Sequence, residues 1–320
     1  MAIVAGIDEA GYGPLLGPLV VTGVAFEVPD DAVDSCLWEL LRDSVTRRSS
    51  RRDLRLPILD SKKLYRSRGG LAALERSALA MFQSANRPPG TFRGLLRRVA
   101  PHVLADLASY PWYRDLDFEL PVEAQAGTIA TSANAVRRNA RLGGVRLAGV
   151  LSEPLLEGHY NRLVSCTRNK AVVLLGLTLR IVQRVIDRAD GQCVRILIDR
   201  QGARVHYVDP LMTSFDGFDL EILEESDRRS AYRLVRSPAA CTVEFRTNGE
   251  DCHLAVALAS IYSKYLRELF MRGLNRFWVE RAGSLRSTAG YYTDARRFLK
   301  DIGPALEREE IDRRLLVRCR

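Results

Sequence analysis

The chain has 320 residues, is 47% hydrophobic and carries a formal net charge of +9. Its length suits one large domain or a domain with a sizeable insertion, and no apolar run approaches the ~18 residues needed to cross a bilayer. The basic balance, with a pI near 9.4, favours an anionic partner, nucleic acid first.

Ala2–Ile7 reads as a short apolar strand that meets Asp8 and Glu9 at once. No basic segment precedes it, so a secretory leader is not expected. A loop with Gly11, Tyr12 and Gly13 follows, and Val-rich Leu19–Val28 reads as a second strand, pairing with the first as a hairpin or meander. Pro29-Asp30 is a turn, and the apolar spacing of Asp31–Ser44 predicts a helix. Thr46–Arg55 is a basic, serine-containing loop, either a solvated turn or a phosphate-backbone contact. Gly70–Ala85 reads as a helix that Asn86–Gly90 breaks. Helical segments around Phe92–Leu107, aromatic stretches and the small and basic residues of Ala126–Arg141 and Arg146–Leu151 read as an insertion. Lys170–Ala189 is an amphipathic helix, and Cys193–Ile198 a buried strand ending in Asp199. Leu220–Thr247 suggests a strand pair turning at Asp227–Ser230. Leu254–Met271 and Glu307–Arg318 read as helices. Strands followed by helices alternating with a strand give an α/β or α+β class with a mixed sheet.

The six cysteines form no CxxC pair and have no histidine at zinc-finger spacing. Reduced and mostly buried thiols in a cytoplasmic chain are the expectation. Only five of the 48 basic residues are lysines, namely Lys62, Lys63, Lys170, Lys264 and Lys300. Lysine is a compact point charge and arginine a planar fork, so each lysine invites inspection.

Asp8, Glu9 and Asp199 end apolar strands, and Glu268 lies within a helix. A carboxylate at a buried strand edge is costly unless something neutralises it. Each alone is ordinarily a cap or turn residue; together they suggest converging acids. Hard divalent cations such as Mg²⁺ or Mn²⁺ take oxygen ligands. Two of them ~3.5–4 Å apart can clamp the attacking and leaving oxygens of a phosphodiester displacement. Ile261, Lys264, Tyr265 and Glu268 share one helix face. Glu268 is therefore either one of these acids or the partner of Lys264 in an exposed ion pair, in the weaker orientation of such a pair.

These residues resemble the ribonuclease HII family. Gly6–Pro18, GIDEAGYGPLLGP, resembles its signature GxDEAGRGPxxGP, and Leu59–Leu64, LDSKKL, its DSKKL motif. ILID at Ile196–Asp199, ASIYSKYLRELFM at Ala259–Met271 and AGYYTDARRFL at Ala289–Leu299 resemble later segments, in family order. Three of the five lysines, Lys62, Lys63 and Lys264, fall on the family's lysine positions. The resemblance implies a single RNase H-like catalytic domain over 1–320, α/β, with a mixed central sheet flanked by helices. It places insertions at 87–153 and 201–250 and a C-terminal helical segment at 273–320, since the extra length lies mainly between Arg68 and Glu153 and between Gln201 and Glu250.

The resemblance also implies an endonuclease that hydrolyses the RNA strand of RNA–DNA hybrids, including single ribonucleotides in duplex DNA, in replication and repair. Two Mg²⁺ or Mn²⁺ ions would be held by Asp8, Glu9, Asp199 and Glu268, and the products would be a 3′-hydroxyl and a 5′-phosphate. The backbone of Gly11, Tyr12 and Gly13 would lie against the ribose 2′-hydroxyl, which distinguishes RNA from DNA. Lys62 and Lys63 would face phosphates. Tyr291 would stack on a sugar or base, with Tyr292 competing for that role. A monomer with no membrane partner is expected. Tyr12 stands where the family has arginine, removing a cation, and Glu268 where it has aspartate, one methylene longer. Arg93, Arg97, Arg137 and Arg138 would extend the duplex footprint of the insertion, or it would bind a protein. Two rival readings are a catalytically weakened nucleic-acid-binding protein of the same fold and a phosphotransferase of the sugar-kinase and actin class. The second needs another glycine-rich phosphate loop, for which Asp199–Gly202 is a poor candidate, and leaves DSKKL unexplained.

Overall fold

The computed structural model describes residues 1–50, 52–66, 69–236 and 239–319. Arg51, in the basic loop, and Arg68, at the edge of the expected extra length, lie outside the described residues. In chain order the elements begin with strands β1 (Ala2–Ala10) and β2 (Leu19–Val28), helix α1 (Leu37–Leu40), and the short strands β3 (Val45–Thr46) and β4 (Leu56–Pro57). Helices α2 (Ser61–Arg66), α3 (Gly70–Ala85), α4 (Phe92–Val99), α5 (Val103–Asp106) and α6 (Ala126–Leu142) come next. Then follow β5 (Arg146–Leu155), α7 (Glu157–Thr167), α8 (Lys170–Arg188), β6 (Val194–Asp199) and α9 (Val208–Ser214). The chain closes with β7 (Asp219–Glu225), β8 (Arg229–Arg236), β9 (Ala239–Arg246), α10 (Gly249–Cys252), α11 (Leu254–Ala282), α12 (Tyr292–Asp301), α13 (Gly303–Arg308) and α14 (Arg313–Leu316).

The expected α/β architecture is present: a seven-stranded mixed sheet in the order β5-β2-β1-β6-β9-β8-β7, flanked by helices. β1 and β2 pair antiparallel from Ala2–Val28 to Ala10–Val20, whereas β6 runs parallel to β1 and β9 parallel to β6. The pleat sorts β1 between two cores. Ala2 and Val4 belong to the core beneath α11, while Ile3, Ala5 and Ile7 belong to the core beneath α8. Gly6 is where α11 comes closest, because a Cβ there would lie 2.2 Å from the Ala255 carbonyl carbon and the Val256 nitrogen. Any side chain at this point would push the helix off the sheet.

α11 is buried along most of its length because the sheet covers one side and other helices cover the rest; a helix apolar all round belongs in a core. It therefore runs past the expected Met271 to Ala282, where Gly283 at φ +76° turns the chain. Among the described residues no helix is long and apolar enough to cross a membrane.

Several expected elements differ. Asp31–Ser44 is not one helix. Only Leu37–Leu40 is α-helical, and Leu37, Trp38 and Leu41 reach the core from a tight turn, with the Trp38 indole N–H donating to the Ile58 carbonyl at 3.1 Å. β5, whose first eight residues fall within the stretch read as an insertion, pairs with β2 from Leu19–Leu155 to Glu27–Arg146. Residues 219–246 form three strands, not two, and β9 is central enough to pair with β6. The expected helix over Glu307–Arg318 is two short helices, broken where Glu310 adopts φ +50° and restarted where the Asp312 carboxylate caps the Arg314 N–H at 2.8 Å.

Candidate active site

Three adjacent parallel strands, β1, β6 and β9, end on the same edge of the sheet, the usual place for a ligand in a parallel sheet. Each end carries acids. Asp8 and Glu9 close β1, Asp199 closes β6, and Glu250 follows β9 across the Thr247–Gly249 turn, in which Asn248 adopts φ +56°. The pairing Ile7–Ile198 sets Asp8 beside Asp199. The Gly249 N–H donates to Asp199 Oδ1 at 2.7 Å, and the Glu250 side chain comes close to Asp199 and Asp60. Asp8 Oδ1 accepts the Glu9 N–H at 2.7 Å, and the Ser263 hydroxyl donates to the Asp8 carbonyl at 3.0 Å, which ties the strand end to α11.

These acids hold their protons more tightly than ordinary carboxylates. Burial is the main cause for all four, with repulsion from a neighbouring acid second. Burial and Glu9 raise Asp8 well above its usual range. Burial and Asp199 push Glu9 up to about 7, and burial and Asp8 push Asp199 up to about 6. Burial and Asp199 push Glu250 up to about 7. Lys62 lies close enough to Glu9 and Asp199 to oppose the shift at both. Lys63 instead pairs with Asp251 at 2.8 Å in an exposed bridge, and its backbone N–H caps Asp60 at 2.7 Å.

Glu268 is held elsewhere. Its Oε1 accepts from the Lys264 ammonium and its Oε2 from the Tyr65 hydroxyl at 3.4 Å, with Lys264 also 4.8 Å from the Tyr65 ring centroid. The ion pair weighed from the sequence is present, but it is mostly buried, both side chains being about 15% exposed. Glu250 is the residue that sequence reasoning missed. The available signal was its position: an acid after an Asn-Gly turn that ends an apolar strand, as Asp8 and Asp199 end theirs.

The Gly11–Gly13 loop borders the acids. Gly11 has φ +87°, and a Cβ there would lie 2.6 Å from both the Pro18 carbonyl oxygen and Arg267 Nε, so only glycine fits. A Cβ at Gly13 would touch nothing within 4 Å, leaving the outer backbone open to a ligand. Arg267 is buried and donates to the Leu16 and Ala289 carbonyls at 3.0 and 3.1 Å. It thereby joins this loop to the one bearing Tyr291, whose half-exposed ring lies 5.9 Å from the guanidinium. The Leu15 N–H donates to the Gly290 carbonyl at 2.8 Å, a second tie. Tyr292, also exposed, has Arg296 over its ring. From the other end of the chain Arg318 donates to the Gly11 and Tyr12 carbonyls.

The donor set suits hard divalent cations, since it is all oxygen, and Glu9 Oε2 and Glu250 Oε2 are buried with no hydrogen-bond partner. Among the described residues no three histidine, cysteine or carboxylate side chains are already gathered closely enough to cage an ion. The chemistry of the donors fits such an ion.

No protein-family model matches the chain, and no curated protein matches it. Among solved structures it is similar to the RNase HII of Archaeoglobus fulgidus in its complex with PCNA, at 16% identity and TM-score 0.44, covering 99% of this chain and 94% of that one. It is similar to Bst-RNase HIII in complex with Mn²⁺, at 16% identity and TM-score 0.44, covering 96% of this chain and 65% of that one. It is also similar to the ribonuclease H2 of Pyrococcus horikoshii OT3, at 12% identity and TM-score 0.38, covering 98% and 92%.

Proposed function

We propose that this chain is an endonuclease that hydrolyses the RNA strand of RNA–DNA hybrids, including single ribonucleotides in duplex DNA. The observation that carries this reading is the set of four acids, Asp8, Glu9, Asp199 and Glu250, at the ends of three neighbouring parallel strands beside the open Gly11–Gly13 loop. The sequence motifs support the same reading. Asp8, Glu9, Asp199 and Glu250 would hold two Mg²⁺ or Mn²⁺ ions, with Glu268 kept to holding Lys264. When bound, the ions supply electrostatic stabilisation of the attacking and leaving oxygens of the scissile phosphodiester.

The chain's own residues position the substrate. The Gly11–Gly13 backbone receives the ribose edge, and the buried Arg267 holds that loop against the Tyr291 loop, so sugar contact and aromatic stacking keep a fixed spacing. Lys62 offsets the negative charge of the acids as a phosphate approaches. Lys63, tied to Asp251, lies on the same exposed side. The net charge of +9 supplies non-specific attraction to the duplex.

The test is a duplex DNA bearing one ribonucleotide, incubated with the protein and Mg²⁺ or Mn²⁺. Cleavage on the 5′ side of the ribonucleotide, giving a 3′-hydroxyl and a 5′-phosphate, is expected. Binding without cleavage in either metal would sink the enzyme reading in favour of a nucleic-acid-binding protein with the same fold, which the uncaged acids would then explain.

A further inference from the structure

Lys170 stands outside every segment that carries the family resemblance, yet the fold brings it to the Gly11–Gly13 loop. It opens α8, is exposed, and its ammonium lies 4.9 Å from the centroid of the Tyr12 ring. Among the described residues no carboxylate pairs with it. The Tyr12 phenol is close enough to feel both Glu9 and Arg318, so Lys170 sits over a ring bordering the acid cluster.

Two cations therefore meet one loop, and they differ in kind. Arg318 is 3% exposed, gives N–H bonds to the Gly11 and Tyr12 carbonyls, and lies 3.9 Å from the Tyr160 ring centroid. Its charge is enclosed by protein, and its work is to hold the loop. Lys170 has a ring face on one side and solvent on the other. An aromatic face attracts an ammonium through its quadrupole without taking its N–H donors as a carboxylate would. The tyrosine thus fixes where the charge stands and leaves its donors available.

We infer that Lys170, presented by Tyr12, is a phosphate-contacting residue that positions the nucleic-acid strand whose ribose lies on the Gly11–Gly13 loop. This rests on the nuclease reading above. A compact ammonium point charge suits a backbone phosphate better than a base edge. The contact supplies the cation that Tyr12 lacks, from a different element.

The test compares full-length wild type, Lys170→Ala and Lys170→Arg on a duplex bearing one ribonucleotide, with kinetics and fluorescence-anisotropy binding measured from 50 to 200 mM salt. Lys170→Ala is expected to raise KM by roughly 3–10-fold at low salt, keep kcat within about 2-fold, and reduce the slope of log affinity against log salt by about 1. Lys170→Arg keeps the slope and melts like wild type. An unchanged KM and slope in Lys170→Ala would overturn the inference. So would equal losses in Lys170→Arg and Lys170→Ala, which would mean that packing and not charge matters. Wild type that binds but does not cleave would overturn the nuclease reading while its salt slope still judges Lys170. Wild type that does not bind overturns both.

Discussion

Two groups of acids in this molecule share residue types and differ in what surrounds them. At the sheet edge, Asp8, Glu9, Asp199 and Glu250 crowd one another, and Glu9 Oε2 and Glu250 Oε2 find no donor. On α11, Glu268 has a donor for each oxygen, Lys264 for one and Tyr65 for the other. Both groups lie near conspicuous lysines. What separates them is whether the fold supplies a resident partner. A carboxylate with a built-in cation is already satisfied, whereas carboxylates left buried, mutually repelling and short of donors must be neutralised by a proton or by a cation from outside.

The contrast breaks most clearly at Asp8. Asp8→Asn is expected to lower single-ribonucleotide cleavage by at least ~100-fold, the scale for removing one electrostatic stabiliser, and to change duplex affinity by less than about 3-fold. Undiminished cleavage would refute the metal assignment. A sharper version ranks two glutamates. Glu250→Gln should cost roughly 100-fold in kcat, while Glu268→Gln should cost under about 10-fold; the reverse order would return Glu268 to the acid cluster. Next comes stability. Lys264→Met removes the resident cation from a pair about 15% exposed, and urea unfolding should show a loss of about 3 kcal/mol, the lower end for breaking a buried pair. Much of that loss should return in the Lys264→Met/Glu268→Gln double variant, and strict additivity would mean that the pair does not interact.

The smallest effect comes from a buried acid outside both groups. Glu157 accepts the Tyr113 hydroxyl at 3.0 Å and is faced by Tyr110, Arg267 and Arg318, and burial pushes it up from 4.5 to about 7. Below pH ~4.5 it is protonated in both folded and unfolded chains. Between about 4.5 and 7 the unfolded chain ionises while the folded chain keeps its proton, so stability falls as pH rises and levels off above 7. Glu157→Gln should remove most of that fall, seen as a flatter plot of denaturation midpoint against pH. Identical slopes would mean that Glu157 is already ionised at pH 5.

Much of this was legible from the residues. β1, β2, α8 and β6 announce themselves by apolar runs or periodicity, and Gly70–Ala85 matches α3 at both ends, its far end set by NRPPG. β5 was harder, because exposed Arg146 and Ala148 interrupt its buried run and its pairing with β2 spans over a hundred residues. β9 was hidden by being merged with its neighbours in a single charged, alternating stretch. In the site, strand-end position pointed to Asp8, Glu9 and Asp199. Helical spacing placed Glu268 on a packed face without saying which neighbours it would meet there. Glu250 escaped because β9, the strand it follows, was not separated from its neighbours, and its place beside Asp199 depends on β9 lying next to β6.

The bond from Arg318 to Gly11 joins residues 307 positions apart. During synthesis at about 5–20 residues per second, roughly 15–60 s separate the emergence of the loop from that of its clamp. The loop beside Asp8 and Glu9 is therefore made well before Arg318, the residue that secures it. A nascent chain thus holds Asp8 and Glu9 well before the loop beside them is fixed, and that loop takes its final form only once Arg318 docks.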